Sequence, residues 1–171
     1  MFKKIVITLF LSLFVFGCSS SGKLTQTSAL TSEIDHTATI VLSVSTNKDV
    51  SEDQAKAAED FANRLQDRLF GKLVSREVFT GVNQDRTSAK YTLDVHVSGA
   101  KKVPTAARIF FGVLAGSNNV TAEVILKEIK TGETITSFQA EGKSAAHPFS
   151  SESGADDAIR EVSEQIVTGL L

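Results

Sequence analysis

"VSEDQAKAAEDFANRLQDRLFGKL", residues 50–73, decides the fold, because its apolar residues recur at the spacing of one helical face. That face consists of Ala58, Phe61, Ala62, Leu65 and Leu69. Ser51 and Gln54 have the spacing of a capping box at the helix start, and Gly71 suits the left-handed residue just past the helix end. The stretch therefore predicts an amphipathic helix with a signal at each boundary.

The segments around this helix alternate between apolar and polar residues, which predicts half-buried strands. "TATIVLSVST", residues 37–46, is the first strand, and "LVSREVF", residues 73–79, is a short second one. "KYTLDVHVSG", residues 90–99, predicts a third strand with one buried face. The inward residues of that face are Tyr91, Leu93, Val95 and Val97.

Two further strands form a predicted hairpin in residues 119–129 and 133–144. The segment "KTGE" joins them, and its Gly132 supplies the positive φ of a tight turn. The closing stretch, residues 155–171, returns to helical spacing with acidic residues in its first turn. Its apolar stripe consists of Ala155, Ala158, Ile159, Val162, Ile166 and Leu170.

Strands with one polar face cannot be covered on both sides. The pattern therefore predicts an α+β fold in the order β-α-β-β-β-β-α. We expect a mainly antiparallel sheet of about five strands that carries two amphipathic helices on its apolar face.

The first seventeen residues have the pattern of a secretory signal peptide. Lys3 and Lys4 give a basic start, and residues 5–16 carry no charge. At about 1.5 Å per residue this run spans roughly 18 Å, well short of the ~30 Å hydrocarbon core of a bilayer. Residues 1–17 are therefore predicted to be removed, which leaves Cys18, the only cysteine of the chain, at the cleavage site.

The residues "VFGC" before and at Cys18 resemble the lipobox of bacterial lipoproteins. The resemblance implies that the Cys18 sulfur carries a diacylglyceryl group, with palmitate-type acyl chains as a membrane anchor. Ser19 stands where an aspartate would favour the inner membrane, so it implies the inner leaflet of the outer membrane, facing the periplasm. The alternatives are a plain secretory signal with an incidental cysteine, or a buried core thiol.

The mature chain is predicted to have a short tether and one domain. Residues 18–35 are rich in Ser and Thr, which predicts a flexible tether behind the lipid, and residues 36–171 form a single α+β domain. Loss of Lys3 and Lys4 changes the formal net charge from −2 to −4. That charge argues against a nucleic-acid partner, because phosphate binding needs a concentrated basic face.

Fragments that look catalytic or metal-binding have simpler interpretations. The S-x-x-K pattern of Ser98–Lys101 lies in a predicted strand, and the "KTG" of 130–132 is a predicted turn. His36, His96 and His147 lack the spacing of a metal site. We therefore expect no enzymatic activity, no metal and no cofactor.

The segment "ARIFFGVLAG", residues 107–116, lies between strands where polar turn residues are usual. One interpretation is a buried connector or a short helix that plugs one end of the sheet. The other is a surface that contacts a partner or a membrane. The interface candidates are Ile109, Phe110, Phe111, Val113 and Leu114.

Together, the lipobox, the helix ending near "LFGKL" (69–73) and the stretch "AGSNNVTAEVILKEIKTGETI" (115–135) resemble a family of bacterial envelope lipoproteins catalogued as a domain of unknown function. The resemblance implies a lipid-anchored domain. Our main hypothesis is a non-enzymatic binding or accessory module for another envelope component. The alternatives are a small ligand-binding or hydrolytic domain with a pocket between helix and sheet, and a purely structural tether.

Overall fold

The computed structural model describes residues 20–46, 52–83, 85–104, 106–107, 110, 116–145 and 151–171. Its strands and helices follow the order β-β-α-β-β-β-β-α. The strands are β1 (Ser21–Ser28), β2 (Thr39–Thr46), β3 (Gly81–Asn83), β4 (Tyr91–Lys101), β5 (Asn119–Glu128) and β6 (Thr134–Lys143). The helices are α1 (Glu52–Ser75) and α2 (Ser151–Leu170).

The six strands form one mixed sheet in the order β1-β6-β5-β4-β2-β3. The pairs β1–β6, β6–β5 and β5–β4 are antiparallel, whereas β2 runs parallel to both β4 and β3. The α+β fold with two helices is confirmed. The expected sheet of about five mainly antiparallel strands is corrected, because there are six strands and β2 is parallel to both neighbours.

Two features of the chain explain these differences. Helix α1 connects β2 to the strands that flank it, and a helical crossover of this kind returns the chain in the parallel direction. The sixth strand is β1, which lies in residues 21–28 and pairs with β6. The sequence composition predicts a flexible tether for these residues, and the strand corrects that prediction. Their polar composition suits an edge strand. Residues 21–26 pair with β6 in one continuous antiparallel run, and Ser28 pairs with Ser137 after a register shift.

Helix α1 continues beyond the glycine that we predicted to end it. The helix extends to Ser75, and the left-handed residue is Glu77, with φ 51°. The Val78 amide donates to the Leu73 carbonyl at 3.1 Å, and the Glu77 amide donates to the Val74 carbonyl at 3.2 Å. These two bonds form a Schellman motif. The prediction of a second strand at residues 73–79 is therefore wrong, because these residues form the end of α1 and its cap. The short strand β3 comes after them, at Gly81–Asn83. The predicted N-cap Ser51 lies outside the described residues.

The predicted apolar stripes form one core. The predicted inward residues of β4 are at most 2% exposed, and the predicted apolar stripe of α2 is at most 1% exposed. The β5–β6 hairpin and the positive φ of Gly132, at 73°, are also confirmed. Both helices pack against this apolar face and against each other, so neither described helix covers the opposite face of the sheet.

The contact between α2 and β6 is the tightest in this core. A Cβ atom added at Gly142 of β6 would overlap the Ala158 carbonyl oxygen and lie 2.5 Å from the Val162 amide nitrogen. Only a residue without a side chain lets the helix backbone approach the strand this closely.

Ion pairs join the exposed sides of the two helices. Glu164 of α2 pairs with Lys72 and with Arg76 of α1, the latter at 2.8 Å, and Arg64 pairs with Asp156. The hydrogen bond from Lys72 is the largest cause that lowers the pKa of Glu164. These side chains are partly exposed, so each pair adds little stability, but together they restrict how α1 can rotate on α2.

Two glycine-to-alanine changes should have opposite effects on stability. Gly142→Ala should lower the free energy of unfolding by about 1–3 kcal/mol, because the methyl group overlaps the α2 backbone. Gly71→Ala should raise it by about 0.5–1 kcal/mol, because Gly71 is exposed inside α1 and has no atom within 4 Å of an added Cβ. Urea denaturation of both variants measures this. A stabilised Gly142→Ala variant would contradict the described packing.

Candidate binding surfaces

Most of the residues predicted for the functional site lie outside the described residues. This is the case for Cys18 and for four of the five interface candidates: Ile109, Phe111, Val113 and Leu114. The fifth, Phe110, is 82% exposed. The role of this segment as an interface stays a prediction.

A second apolar surface was missed by sequence analysis. Phe70 and Val74 lie one turn apart on α1 and are 50% and 48% exposed. Phe70 also lines a cleft of about 280 Å³ between residues of α1, β2 and β3. The lining residues are Leu42, Gln66, Asp67, Phe70, Val82 and Asn83. We call this surface, comprising Phe70, Val74 and the cleft, the α1–β3 corner.

The sequence did contain a signal for this corner. Phe70 and Val74 form an i, i+4 apolar pair just beside the core stripe of α1. A predicted helix end at Gly71 places Val74 in the next strand, which hides the pair. The strand beside the pair, β3, is at the end of the sheet, and its only described strand partner is β2. The corner therefore combines apolar side chains with a strand edge that is unpaired within the described residues.

A larger cleft lies where the β1–β2 connection meets the end of α2. Its volume is about 480 Å³. The residues that line it are Gln26, Ala29, Leu30, Glu33, Ile34, His36, Thr136, Gly169, Leu170 and Leu171. We call it the connector cleft. The His36 ring is fixed at its wall, because Nδ1 lies 2.8 Å from the Val78 carbonyl oxygen and the ring lies 5.8 Å from that of Phe79.

Asp35 holds the connection beside this cleft in place. Its carboxylate accepts hydrogen bonds from the Thr37 amide at 3.0 Å, the Thr37 hydroxyl at 2.6 Å and Lys90 Nζ at 2.9 Å. The Thr37 hydroxyl and then Lys90 are the main causes that lower the pKa of Asp35 to about 2. The Asp35 amide donates to the Tyr91 hydroxyl at 3.2 Å. The connection is thus attached to the start of β4.

The uncovered face of the sheet brings a hydroxyl and an imidazole together. Ser45 Oγ lies 3.1 Å from His96 Nδ1, on the neighbouring strands β2 and β4. Ser45 is exposed, and neither residue lines either cleft. A nucleophile and base on an open face have no walls to exclude water or hold a substrate, so the distance alone does not make a catalytic site.

The described residues contain no group of three or more His, Cys, Asp or Glu side chains arranged to hold a metal ion. No helix within the described ranges has both the length and the apolar character needed to cross a bilayer.

Comparison with known proteins gives a family and a fold. A family model described as "Domain of unknown function (DUF4410)" matches residues 25–148. Two crystal forms of the PelC dodecamer from Paraburkholderia phytofirmans are similar, with TM-scores of 0.51 and 0.50. Each is 13% identical and covers 86% of this chain and 95% of PelC.

A DUF330 protein from Xanthomonas campestris has a TM-score of 0.46 and 10% identity, over 78% of this chain and 81% of its own. No curated protein sequence matches significantly. At 13% identity, the PelC similarity shows a shared fold alone.

The connection beside the cleft should lose stability in acid. The pKa of Asp35 is lower in the folded chain than its ordinary value of 3.8, so its ionised form stabilises the fold above about pH 4. This contribution disappears as the pH falls through about 2. Asp35→Asn should therefore destabilise the protein at pH 6, and less so at pH 3. Urea midpoints of both proteins at the two pH values measure this, and an equal difference at both would contradict the assignment.

Proposed function

The chain belongs to the DUF4410 family of domains of unknown function, and we propose that it is a lipid-anchored module that binds another protein of the bacterial cell envelope. In this proposal the domain binds its partner and catalyses no reaction. The observation that carries the proposal is the exposed pair Phe70 and Val74 beside an unpaired strand edge.

The proposed anchor is a diacylglyceryl group on Cys18. Its support is the basic start, the short apolar run and the lipobox-like "VFGC" before a serine-rich stretch. A single acyl chain binds a membrane only marginally, whereas two or more hold a protein durably. Ser19 favours the inner leaflet of the outer membrane as the location, with the domain in the periplasm.

The α1–β3 corner suits a protein partner. Two large apolar side chains that are about half exposed gain free energy when a partner covers them. The unpaired edge of β3 can add a strand from the partner through backbone hydrogen bonds. Asp67, Gln66 and Asn83 line the cleft and supply polar groups that would fix the orientation. PelC is a dodecamer, so a second copy of this chain is one partner that the experiment below distinguishes.

The absence of catalysis in the proposal rests on where the reactive groups lie. The Ser45–His96 pair is on the open face of the sheet and lines neither cleft. Ser98 and Lys101 of the S-x-x-K pattern are both in β4, an extended strand, whereas the enzymes with this motif place the serine at the start of a helix.

The connector cleft supports a second candidate function, the binding of a small ligand. Its volume of about 480 Å³ is within the usual range for small-molecule sites. Its walls are mainly apolar, with Gln26, Glu33 and His36 as polar groups. This arrangement suits a largely apolar molecule with one polar end.

Replacement of the lipidated residue tests the anchor. Cys18→Ser should abolish incorporation of labelled palmitate and should move the protein from the membrane fraction to the soluble fraction. Mass spectrometry of the wild-type protein should find acyl chains on Cys18 and no residues before it. A bare Cys18 sulfur in the wild-type protein would refute the anchor, whatever the fractionation shows.

Photo-cross-linking in intact cells tests the α1–β3 corner. A photoreactive amino acid at Phe70 should give a cross-linked product of defined mass that is strongly reduced by Val74→Ser. The matched control places the same amino acid at Leu30, which is 55% exposed in the connector cleft. A product of twice the chain mass identifies a second copy, and any other defined mass identifies a different envelope protein. Cross-linking at Phe70 no stronger than at Leu30 would contradict the proposed interface.

A further inference from the structure

At one end of the sheet lie the first residues of β1 and β5 and the last residues of β4 and β6. Ser21 of β1 is opposite Lys143 of β6, Lys143 is opposite Asn119 of β5, and Asn119 is opposite Lys101 of β4. With strands about 4.8 Å apart, these four residues form a row roughly 14 Å long. We call this row and the residues that adjoin it the anchor end.

The anchor end lies very close to the proposed lipid. Ser20 is fixed to α2, because its hydroxyl donates to the Glu161 carboxylate at 2.7 Å and accepts from Arg160 at 2.8 Å. Cys18 is two residues before Ser20, and two residues reach at most about 7 Å. Because residues 21–28 form β1, no long tether separates the domain from the acyl chains.

The apolar Phe110 lies in the chain between Val103 and Asn118, two residues that are held together at this same end. Val103 and Asn118 are joined, since the Val103 amide donates to Asn118 Oδ1 at 2.7 Å. The Asn118 amide donates to the Ser144 hydroxyl at 3.0 Å, just after β6. The segment between positions 103 and 118 therefore begins and ends beside the row. It includes Phe110, which is 82% exposed.

The same end carries three exposed lysines. They are Lys101, Lys102 and Lys143. Two of them have an acidic neighbour, Lys102 with Asp60 at 3.7 Å and Lys143 with Glu141 at 4.0 Å. These pairs are long and solvent-exposed, so the lysines remain available to anionic lipid headgroups.

We propose that the anchor end is a membrane-facing surface, in which Phe110 enters the headgroup region and Lys101, Lys102 and Lys143 contact anionic lipids. This inference rests on the proposed lipidation of Cys18. The lipid is attached within about 7 Å of Ser20 at this end, and an exposed apolar side chain together with cations is the chemistry that a bilayer surface accepts. In this orientation the connector cleft lies away from the membrane. It is at the far end of β1, whose eight residues span about 26 Å from the anchor end.

A fluorescent label at either end of the domain tests this orientation. The full-length protein is processed in cells, purified and reconstituted into vesicles of phosphatidylethanolamine and phosphatidylglycerol that contain a headgroup-quenching lipid. Cys18 is the only cysteine of the chain, so once it is acylated a single introduced cysteine is the only free thiol. The label is placed at Ala106→Cys, which is exposed between Val103 and Asn118, or at Ala29→Cys, which is exposed at the opposite end. The two variants differ only in position.

We expect quenching at position 106 to be several-fold stronger than at position 29. Phe110→Ser, and the combined change of Lys101, Lys102 and Lys143 to Gln, should each reduce the quenching at 106. The matched control changes the exposed Arg86 and Lys130, at the other end of the sheet, to Gln and should leave it unchanged. Circular dichroism of each variant verifies that the domain is folded.

Equal quenching at the two positions, or stronger quenching at 29, would overturn the membrane-facing orientation while leaving the lipid anchor intact. Failure of the anchor itself is recognised separately. In that case mass spectrometry finds Cys18 without acyl chains, the protein does not remain with the vesicles, and both this inference and the proposed anchor fall.

Discussion

Helix α2 lies directly on the backbone of β6, because Gly142 leaves no side chain between them. From this position α2 also contacts β1, β5 and α1, so it connects both halves of the core. Each large apolar side chain that is fully buried in that core contributes about 1.5–3 kcal/mol. The ion pairs of Glu164 hold α1 against α2, and the hydrogen bond that Glu161 accepts from the Ser20 hydroxyl holds the start of β1 against α2. The arrangement of the whole domain therefore depends on one close contact between helix and strand.

Because both helices cover the same face, the surfaces left for binding are the other face, the strand edges and the two ends of the sheet. The face turned away from the helices carries the Ser45–His96 pair, and neither residue lines the connector cleft or the cleft of the α1–β3 corner. The α1–β3 corner is different, because Phe70 and Val74 lie beside a strand with an unpaired edge. Both features favour association with another polypeptide, which is why the proposed function rests on this corner.

The pairing of β1 with β6 changes the relation between the domain and the membrane. A flexible tether of residues 18–35 would let the domain turn freely near the lipid. With residues 21–28 in the sheet and Ser20 bound to α2, the reach from Cys18 is about 7 Å, and one end of the sheet faces the anchor. In the proposed membrane-facing orientation, the connector cleft and the exposed Leu30 face away from the bilayer. The pairing of β1 is what makes a fixed orientation part of that proposal, because a flexible tether would set none.

The sequence by itself determined the parts that depend on local periodicity. The apolar stripes of α1 and α2, the inward face of β4 and the positive φ of Gly132 all follow from spacing within a few residues, and the structure has them as predicted. The leader pattern and the lipobox resemblance are also local. The end of α1 was misplaced, because a Schellman motif accepts Glu77 where glycine is the stronger local signal.

The tertiary structure alone decided what depends on distant pairing. The polar residues of β1 carry no strand signal until β6 offers its edge, more than a hundred positions away, and the parallel direction of β2 follows from the crossover of α1. The exposure of Phe70 and Val74 depends on which side of α1 the sheet covers. Backbone hydrogen bonds between strands and the shape of the packed core are not encoded in any short stretch. They exist only when segments far apart in the chain meet.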